Sequence, residues 1–330
     1  MKNNSIDIVI PWVNGSDLNW QNDFKNYLVD QTNIDARIHR YRDNGLLRFW
    51  FRGIEKNAPW IRKIHFITYG HIPEWLNTKH EKLSIVKHID YIDKRYLPTF
   101  NSHVIELNLH RIPNLSDKFV YFNDDTFLIN PIKEDFYFKN DLPRDCAILN
   151  PIVPGGLSHI IINNLQVINK HYNKSSVIRK NPYKWINIKY GFSLFRTLLL
   201  MPWPNFVGIK DTHLPIPYLK KTFERLWELE PEILYTTNES RFRKDSDVNQ
   251  YLFRYWQLVS GDFNSQNTIA SSSYLDISRD AISKIVEQLN NKKNKLIVIN
   301  DGHSDEYEIK TMEIKKAFSE ILPEKSTYEI

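Results

Sequence analysis

The 330-residue sequence is poor in the residues that several large enzyme classes require. Its single cysteine, Cys146, cannot form a disulfide within the chain, and we interpret it as a small buried apolar side chain. The 10 glycines never form a Gly-x-Gly-x-x-Gly or Gly-x-x-x-x-Gly-Lys-Ser/Thr pattern, which excludes the usual dinucleotide and P-loop sites. The Gly-x-Ser-x-Gly, His-Glu-x-x-His and paired-cysteine motifs are absent too, so neither a serine hydrolase nor a zinc enzyme is expected.

Long apolar runs are also missing. The longest, such as 197–203, fall far short of the ~20 residues that span a bilayer. Residues 1–7 are polar and lack the charged and apolar regions of a signal peptide. We therefore expect a cytoplasmic protein, either free or in peripheral contact with the inner face of the cell membrane.

Positive charge is only slightly in excess, since 44 Lys and Arg residues against 39 Asp and Glu residues leave a net charge of +5. Much of the excess lies in 170–189, 210–221 and 292–295. These segments are either ordinary solvated faces or surfaces that attract anionic lipids or phosphorylated substrates. No helix-turn-helix, zinc-finger or RNA-binding signature accompanies the charge, so nucleic acid is not an expected partner.

Apolar residues, by contrast, are abundant at 42%, and aromatic residues reach 13%, which indicates a globular chain with a large core. Strand-like runs alternate with helical patterns through the first 150 residues, the order typical of a mostly parallel sheet flanked by helices. We predict one catalytic unit with a Rossmann-like α/β fold. It comprises an α/β core (1–150), a helical insertion (151–290), and a C-terminal strand and helix that return to the sheet (291–330).

Local patterns place the individual elements of this fold. The predicted strands cover 6–10, 63–69, 83–88, 118–122 and 295–299. The predicted helices cover 17–30, 45–56, 102–111, 157–172, 217–229, 245–259 and 307–321. The clearest strand is 118–122, a β-rich run that ends directly in Asn123, Asp124 and Asp125.

Polar loops follow three of the predicted strands. They are 14–17 after the first strand, Asn123-Asp124-Asp125 after the fourth, and 300–305 after the last. Ligands of open α/β sheets collect at the carboxyl ends of strands, and oxygen ligands there suit Mg²⁺ or Mn²⁺, which neutralise a diphosphate. Asp and Asn are also turn formers and helix caps, so each loop by itself has an ordinary structural explanation.

The order of several motifs resembles the Stealth family, which includes bacterial capsular polysaccharide phosphotransferases and the animal N-acetylglucosamine-1-phosphotransferase of lysosomal enzymes. Four blocks, which together span nearly the whole chain, carry the resemblance. The first is Ile-Asp-Ile-Val-Ile-Pro-Trp-Val-Asn-Gly-Ser-Asp (6–17), and the second runs from Tyr-Arg-Asp-Asn (41–44) through Leu-Pro-Thr-Phe-Asn-Ser (97–102) to Asn-Asp-Asp (123–125). The third joins Thr-His-Leu-Pro (212–215) to Arg-Lys-Asp-Ser-Asp (243–247), and the fourth joins Asn-Asp (300–301) to Leu-Pro (322–323).

This resemblance implies transfer of hexose-1-phosphate, or N-acetylhexosamine-1-phosphate, from a UDP-sugar to a hydroxyl group of an oligosaccharide or lipid-linked glycan acceptor. The product is a phosphodiester in a capsular or cell-surface polysaccharide, and UMP is released. The implied cofactor is Mg²⁺ or Mn²⁺. The UDP-sugar is assigned to the 1–150 core and the acceptor side to 151–290.

The matching motif positions supply the candidate site residues. The catalytic candidates are Asp7, Asp125, His213 and Arg243; the metal ligands are Asp124, Asp125, Asn300 and Asp301; and the donor-binding candidates are Trp12, Asn14, Arg42, Asn44, Arg48 and Asn101. Histidine has a pKa suited to a general base, with the aspartates as alternative bases, and arginine binds phosphate oxygens through a planar fork. Arg42, Arg48 and Arg52 are expected on one helix, where Arg48 and Arg52 share a face.

Two other functions stay open at this point. A metal-dependent glycosyltransferase would use the same donor but attack the anomeric carbon and release UDP. A noncatalytic carbohydrate-binding protein would stack sugars on its aromatic side chains without turnover. The nucleotide product identifies the first alternative, and binding without turnover identifies the second.

Overall fold

The computed structural model describes residues 5–28, 41, 43–302 and 306–330. Its strands are β1 (Ile6–Trp12), β2 (Lys63–Thr68), β3 (Leu83–Lys87), β4 (Lys118–Tyr121), β5 (Thr126–Leu128), β6 (Phe138–Lys139), β7 (Leu142–Asp145), β8 (Ile216–Leu219), β9 (Asn264–Ser265), β10 (Ser272–Asp276) and β11 (Leu296–Asn300). Its helices are α1 (Leu18–Leu28), α2 (Leu47–Asn57), α3 (Ser102–Leu107), α4 (Ser158–His171), α5 (Lys174–Lys180), α6 (Pro182–Trp185), α7 (Ser193–Leu200), α8 (Lys220–Leu229), α9 (Pro231–Asn238), α10 (Tyr251–Ser260), α11 (Ile282–Asn290) and α12 (Tyr307–Ile321). None of the helices in these ranges is long and apolar enough to cross a membrane.

Five strands form the main sheet in the order β3-β2-β1-β4-β8. The first four strands of the chain are parallel to their neighbours, and β8 runs antiparallel to β4. The four parallel strands overlap the predicted runs closely, which confirms the α/β class and the mostly parallel sheet. Two small sheets, with the orders β10-β11-β5 and β6-β7-β9, complete the strand pairing of the described chain.

Apolar side chains cover both faces of the main sheet, which explains why its strands are continuous apolar runs in the sequence. In β1, Ile8 and Ile10 belong to a core shared with α2, β11 and α12, whereas Val9 belongs to a core shared with α3, α8 and α10. Successive side chains of a strand point to opposite faces, so β1 lies between two cores. Its carboxyl end is therefore held firmly beside the end of β4.

The C-terminal strand departs from the prediction, because β11 does not return to the main sheet. It pairs parallel with β10 and antiparallel with β5 in a second sheet, although its side chains share a core with those of β1. Since β5 begins directly after Asp125, the end of β11 lies beside that turn. The Ile299 amide donates a hydrogen bond to the Asp125 carbonyl at 2.9 Å.

The predicted helix at 217–229 is wrong in its first residues, where the chain forms the buried edge strand β8. Pro217 lacks the N–H group that a helix interior uses, and it is tolerated in an edge strand. Because β8 is antiparallel to β4, with Ile216 opposite Tyr121, the residues just before β8 lie at the carboxyl end of β4. This pairing brings His213 to the strand end that carries Asp124 and Asp125.

Candidate active site

A cavity of about 470 Å³ opens at the carboxyl ends of β1 and β4, where a parallel sheet places its ligands. Its volume lies in the range of small-molecule sites, roughly 300–1,000 Å³. The cavity brings together predicted site residues from distant parts of the chain. These are Trp12, Asn44, Asp124, Asp125, His213, Arg243, Asn300 and Asp301.

Asp125 and His213 form a hydrogen-bonded pair in this cavity. The His213 Nε2 atom lies 2.9 Å from Asp125 Oδ2, and the Thr126 hydroxyl donates to Asp125 Oδ1 at 3.1 Å. Burial opposes a positive charge on His213, but the charge and hydrogen bond of Asp125 outweigh it and raise the pKa of the imidazole above its ordinary value. The pair is therefore suited to keep one proton between Nε2 and the carboxylate, which leaves Nδ1 of His213 to exchange a proton with a ligand.

Asp124 lies next to this pair and is open to solvent through the cavity. The surrounding walls desolvate its carboxyl, and Asp125 and Asp43 add negative charge nearby, so the pKa of Asp124 lies above its usual range. Such mutual repulsion is the condition that a bound cation relieves. The electrostatics of the acidic pair thus favour a cation.

The donor set fits an open metal site better than a closed one. Among the described side chains, no three from His, Cys, Asp or Glu are grouped closely enough to enclose a metal ion. Mg²⁺ is commonly held by one or two carboxylates, with water and substrate phosphates as its other ligands. Asp124 and Asp125 fit that arrangement, with Asn300 and Asp301 lining the same cavity.

Asn300 and Asp301 reach the cavity because β11 ends beside the turn at Asp125. The Asn300 amide donates a hydrogen bond to Asp276 Oδ2 at 2.9 Å, so the end of β10 fixes its orientation. Asp301 lies 3.5 Å from the hydroxyl of Tyr307, the first residue of α12. The second sheet therefore supplies one wall of the cavity.

Arg243 enters from a loop that is fastened to the start of α3. Its Nη2 atom donates to the Ser102 hydroxyl at 2.7 Å, and no carboxylate within the described ranges pairs with it. Asn101, predicted to bind the donor, does not line the cavity; its amide donates to Ser240 O at 3.0 Å and to Asp247 Oδ2 at 2.8 Å. Asn101 thus positions the loop that carries Arg243, leaving the guanidinium charge available to an anion.

Aromatic side chains form another part of the cavity lining, called here the aromatic wall. They are Trp12, Trp20, Tyr41, Tyr69, Phe100 and Tyr121. Trp20 and Tyr41 approach to 4.8 Å between ring centroids, and the Gly15 amide donates to the Tyr41 carbonyl at 2.7 Å. A Cβ atom at Gly15 would lie 2.6 Å from that oxygen, so this approach requires glycine. The wall offers flat surfaces on which a base or sugar can stack.

Two other predicted donor-binding residues, Asn14 and Arg48, do not line the cavity. The Asn14 side chain accepts a hydrogen bond from the Ser16 amide at 2.9 Å and shapes the turn after β1. Arg48 is exposed, with its guanidinium 5.2 Å from the Trp75 ring centroid. Arg42 lies outside the described residues. Arg52, on the same helix as Arg48, pairs with Glu329 at 2.7 Å, so the expected arginine face does not point at the ligand site.

Asp7 requires a correction, because the predicted catalytic carboxylate lies at the other edge of the sheet. It is near the start of β1, about 17 Å along the extended strand from Trp12 at the cavity. Its carboxylate is 0% exposed and accepts hydrogen bonds from Arg62 Nε at 2.8 Å and the Ser116 amide at 2.9 Å. Burial opposes its ionisation, but hydrogen bonds from His65 and Arg62 prevail and lower the pKa of Asp7. Asp7 is structural.

Replacing Asp7 with asparagine is therefore expected to affect folding and not chemistry. We expect the free energy of unfolding at neutral pH to fall by about 3 kcal/mol, because the partner charges lose their buried anion. Since the folded-state pKa is lowered, this stabilisation is complete above the unfolded-state value near 4 and is lost as pH falls through the folded-state value. Urea unfolding of Asp7→Asn at neutral and acidic pH measures both effects.

The matched control is Asp93→Asn, which removes the charge of an exposed pair with Arg95 at 3.1 Å. That change should cost less than about 1 kcal/mol. The kcat of folded Asp7→Asn should equal that of the wild type. A large loss of kcat at unchanged stability would return Asp7 to the catalytic residues.

Glu106, a buried carboxylate on α3 that also lines the cavity, was not predicted as a site residue from the sequence. It accepts a hydrogen bond from the Tyr121 hydroxyl at 3.2 Å. The available signal was a glutamate inside an otherwise apolar helical run at 104–107. His88, another lining residue, has its pKa lowered to about 4 by burial, so this histidine is neutral at physiological pH.

Two family models match this chain. They describe Stealth protein CR1, conserved region 1, over residues 4–28, and Stealth protein CR2, conserved region 2, over residues 40–145. The matched regions contain β1, the turn after it and the Asn123-Asp124-Asp125 loop. Conserved region 2 also contains Ser102, which holds Arg243.

Similar proteins extend the match to the whole chain. The capsular polysaccharide phosphotransferase WcwK of Streptococcus pneumoniae is 43% identical over 100% of this chain and 99% of its own. The exopolysaccharide phosphotransferase cps2G of Lactiplantibacillus plantarum is 37% identical over 98% of this chain and 96% of its own. A solved galactosyltransferase, LgtC, aligns over 97% of this chain and 96% of its own with a TM-score of 0.39 and 11% identity, too distant a likeness to bear on mechanism. By its identity to full-length relatives, this chain belongs to the Stealth family of phosphotransferases.

Proposed function

We propose that this enzyme transfers hexose-1-phosphate, or N-acetylhexosamine-1-phosphate, from a UDP-sugar to a hydroxyl group of a glycan acceptor. The product is a phosphodiester linkage of a capsular or cell-surface polysaccharide, and UMP is released. One observation carries the proposal: an acidic pair, a histidine and an arginine without a carboxylate partner among the described residues line one cavity together with the aromatic wall. This combination suits a donor with a flat base, a diphosphate and a sugar.

The proposed reaction exchanges one bond to phosphorus for another. The acceptor oxygen attacks the phosphorus nearer the sugar, and the bond from that phosphorus to the oxygen shared with the uridine phosphate breaks. The acceptor proton moves to the enzyme, and the electron pair of the broken bond leaves on UMP. The bond between the sugar and its phosphate oxygen stays intact.

Each part of the cavity has a role in this reaction. Asp125 holds the imidazole of His213 in position through Nε2, and the other ring nitrogen, Nδ1, accepts the proton of the acceptor hydroxyl. Arg243 presents a planar fork of donors to phosphoryl oxygens, with Ser102 orienting one arm. The aromatic wall receives the uracil and sugar rings.

Asp124 and Asp125, with Asn300 and Asp301 beside them, would hold a Mg²⁺ or Mn²⁺ ion, which supplies charge neutralisation to the diphosphate. A carboxylate pair alone would repel that diphosphate. The acidic pair and a polyanionic substrate are compatible only when positive charge lies between them.

The alternative enzymatic reaction is glycosyl transfer, in which the acceptor attacks the anomeric carbon and UDP leaves. The two reactions differ in which product inherits the phosphorus nearer the sugar. The phosphotransferase names of the relatives favour its inheritance by the glycan. Simple carbohydrate binding is not favoured, because these relatives are transferases.

The test follows that phosphorus. A panel of UDP-sugars labelled with radioactive phosphorus next to the sugar is incubated with the enzyme, Mg²⁺ or Mn²⁺, and oligosaccharides from the producing organism's surface polysaccharide. We expect the label in the glycan, unlabelled UMP in equal amount, and the donor's anomeric configuration unchanged. Phosphorus NMR of the product should show a diester coupled to the anomeric proton.

Omitting the acceptor controls for hydrolysis of the donor. Release of labelled UDP together with a glycan free of phosphorus would replace this proposal with glycosyl transfer. Because the readout is the position of the label, it gives the same answer for any sugar that the enzyme accepts.

A further inference from the structure

A cluster of exposed apolar side chains lies outside the cavity, in a segment that none of the cavity-lining residues belongs to. Eight of the twenty large apolar side chains exposed in the described part of the chain fall between Tyr183 and Trp203. Phe192 is 91% exposed, Ile188 is 89% exposed and Leu199 is 73% exposed. Isolated exposed apolar residues are ordinary, but concentrated apolar surface marks an interaction site. We call the exposed apolar side chains of residues 183–203 the apolar surface.

The fold holds this segment firmly, so its exposure is not that of a loose loop. Trp185 and Tyr190 are buried anchors, and the Tyr190 hydroxyl donates to the Lys184 carbonyl at 2.7 Å. In α7, buried Thr197 accepts a hydrogen bond from the Leu149 amide at 3.1 Å. The Lys174 ammonium donates to the Leu200 carbonyl at 2.7 Å at the end of the same helix.

With Thr197 turned inward, the opposite side of α7 faces solvent. Phe192, Phe195 and Leu199 follow one another at spacings of three and four, which places them along one helical face. The Phe192 and Phe195 rings lie 6.5 Å apart between centroids. Arg196 is exposed beside them. A solvent-facing helix side normally carries polar residues, so this one is built for an apolar environment.

The charged residues of the segment that carries the apolar surface are all of one sign. From Cys146 to Lys210 the sequence contains no Asp or Glu but eight Lys and Arg residues. Five of these are exposed. Lys170 pairs with Glu230, whereas Arg179, Lys180, Lys189 and Arg196 form no ion pair within the described ranges. The whole chain has a net charge of only +5, so this segment concentrates positive charge that the rest of the chain balances.

We propose that the apolar surface and these four exposed cations form a docking site for an anionic phospholipid bilayer. Apolar and aromatic side chains beside Lys and Arg are the combination that lies in a membrane interface, where the apolar groups enter the acyl boundary and the cations meet anionic headgroups. Tyr183 and Trp203 add the aromatic residues that favour the headgroup level. A protein partner or second copy would explain the apolar face but not the lack of acidic residues in the segment that carries it.

Docking would place the cavity near the membrane. His213 follows Trp203 by ten residues in the sequence, which an extended chain spans in at most about 35 Å. A glycan acceptor anchored in the bilayer would then be confined close to the cavity. The delivery of an anchored acceptor to the cavity rests on the proposed function. Binding of the protein to the bilayer does not depend on that function.

The experiment measures binding of the full chain to vesicles without any substrate. Vesicles of phosphatidylglycerol and phosphatidylcholine in equal amounts are compared with vesicles of phosphatidylcholine alone by co-sedimentation. We expect binding to the anionic vesicles, weakened by salt. The variant Phe192→Ser/Phe195→Ser/Leu199→Ser should partition at least about tenfold more weakly, since three apolar side chains no longer enter the bilayer. Lys189→Gln/Arg196→Gln should lose a similar factor at low salt.

The matched control is Ile309→Ser/Met312→Ser, which removes apolar side chains that are 67% and 69% exposed on α12. It should bind anionic vesicles as the wild type does. The α7 variant should keep its melting temperature and its transfer to a water-soluble acceptor, because its changed side chains point away from the anchors. That activity separates failure of docking from failure of the proposed chemistry.

Three outcomes would overturn the docking proposal. They are no binding of the wild type to anionic vesicles, equal binding by the α7 variant, and equal binding to vesicles with and without phosphatidylglycerol. A wild-type dimer that dissociates in the α7 variant and ignores vesicles would assign the apolar surface to a second copy of the chain.

Discussion

Replacing Asp125 with asparagine is expected to lower kcat by about 10²-fold or more while the protein stays folded. The amide keeps the shape of the carboxyl but loses its charge. The charged carboxylate of Asp125 forms a hydrogen bond with His213 at 2.9 Å and raises the pKa of the imidazole. It is also half of the acidic pair that favours a cation. All three effects of the charge are lost together, although the amide oxygen can still accept a neutral hydrogen bond, and the hydrogen bond from the Ile299 amide to the backbone carbonyl of residue 125 survives.

The measurement is turnover at saturating donor, acceptor and Mg²⁺ or Mn²⁺, so that weakened binding does not appear as lost kcat. Asp135→Asn is the control, because this exposed aspartate lies outside the cavity. Its one ion pair, with Arg144, is long at 4.0 Å. It should leave kcat unchanged. Turnover of folded Asp125→Asn within a few-fold of the wild type would remove Asp125 from the mechanism.

Replacing His213 with asparagine is expected to lower kcat by about 10²–10⁴-fold, the usual contribution of a general acid or base. Asparagine is preferable to alanine here, since His213 has a φ of +51° and asparagine tolerates left-handed backbone well. The amide can still hydrogen-bond to Asp125, but it cannot exchange a proton near neutral pH. A loss of kcat would then report the missing proton transfer and not a distorted loop.

His159→Asn provides the control, as this histidine is exposed at the start of α4 and lies outside the cavity lining. The double variant Asp125→Asn/His213→Asn should lose less than the product of the two single losses, because the two side chains act as one pair. Strictly multiplicative losses would contradict joint action. Near-normal turnover of His213→Asn would exclude it as the proton acceptor.

The parts of the site that could be predicted from sequence are those set by one strand and the loop after it. The run at 118–122 is apolar because β4 is buried on both faces, and the polar residues after it lie at the carboxyl end whatever its neighbours are. The location of Asp124 and Asp125 could therefore be predicted without knowing which strands pair in the sheet. The catalytic role of Asp7 was predicted from the family motif instead. Its place near the start of β1 already put it at the edge of the sheet opposite the carboxyl ends of the strands.

Residues that act through distant partners could not be assigned in this way. Asn101 and Asp247 share a hydrogen bond of 2.8 Å across 146 residues of sequence, and that contact fixes the loop of Arg243. Nothing in the local pattern distinguishes an amide that binds a sugar from one that holds a loop. Glu106 is similar, because a single glutamate in an apolar helix does not show which cavity it faces.

The sequence by itself determined the alternation of strands and helices, the acidic end of β4 and the motif order of the family, because each depends on residues close together in the chain. Only the tertiary structure decided that β11 would pair with β5, that β8 would add an antiparallel edge beside β4, and that the apolar residues of α7 would face outward. The physical reason is that strand pairing and burial are settled by competition among distant segments for the same edges and core surface. His213 reaches Asp125 because antiparallel pairing reverses the chain direction at that edge.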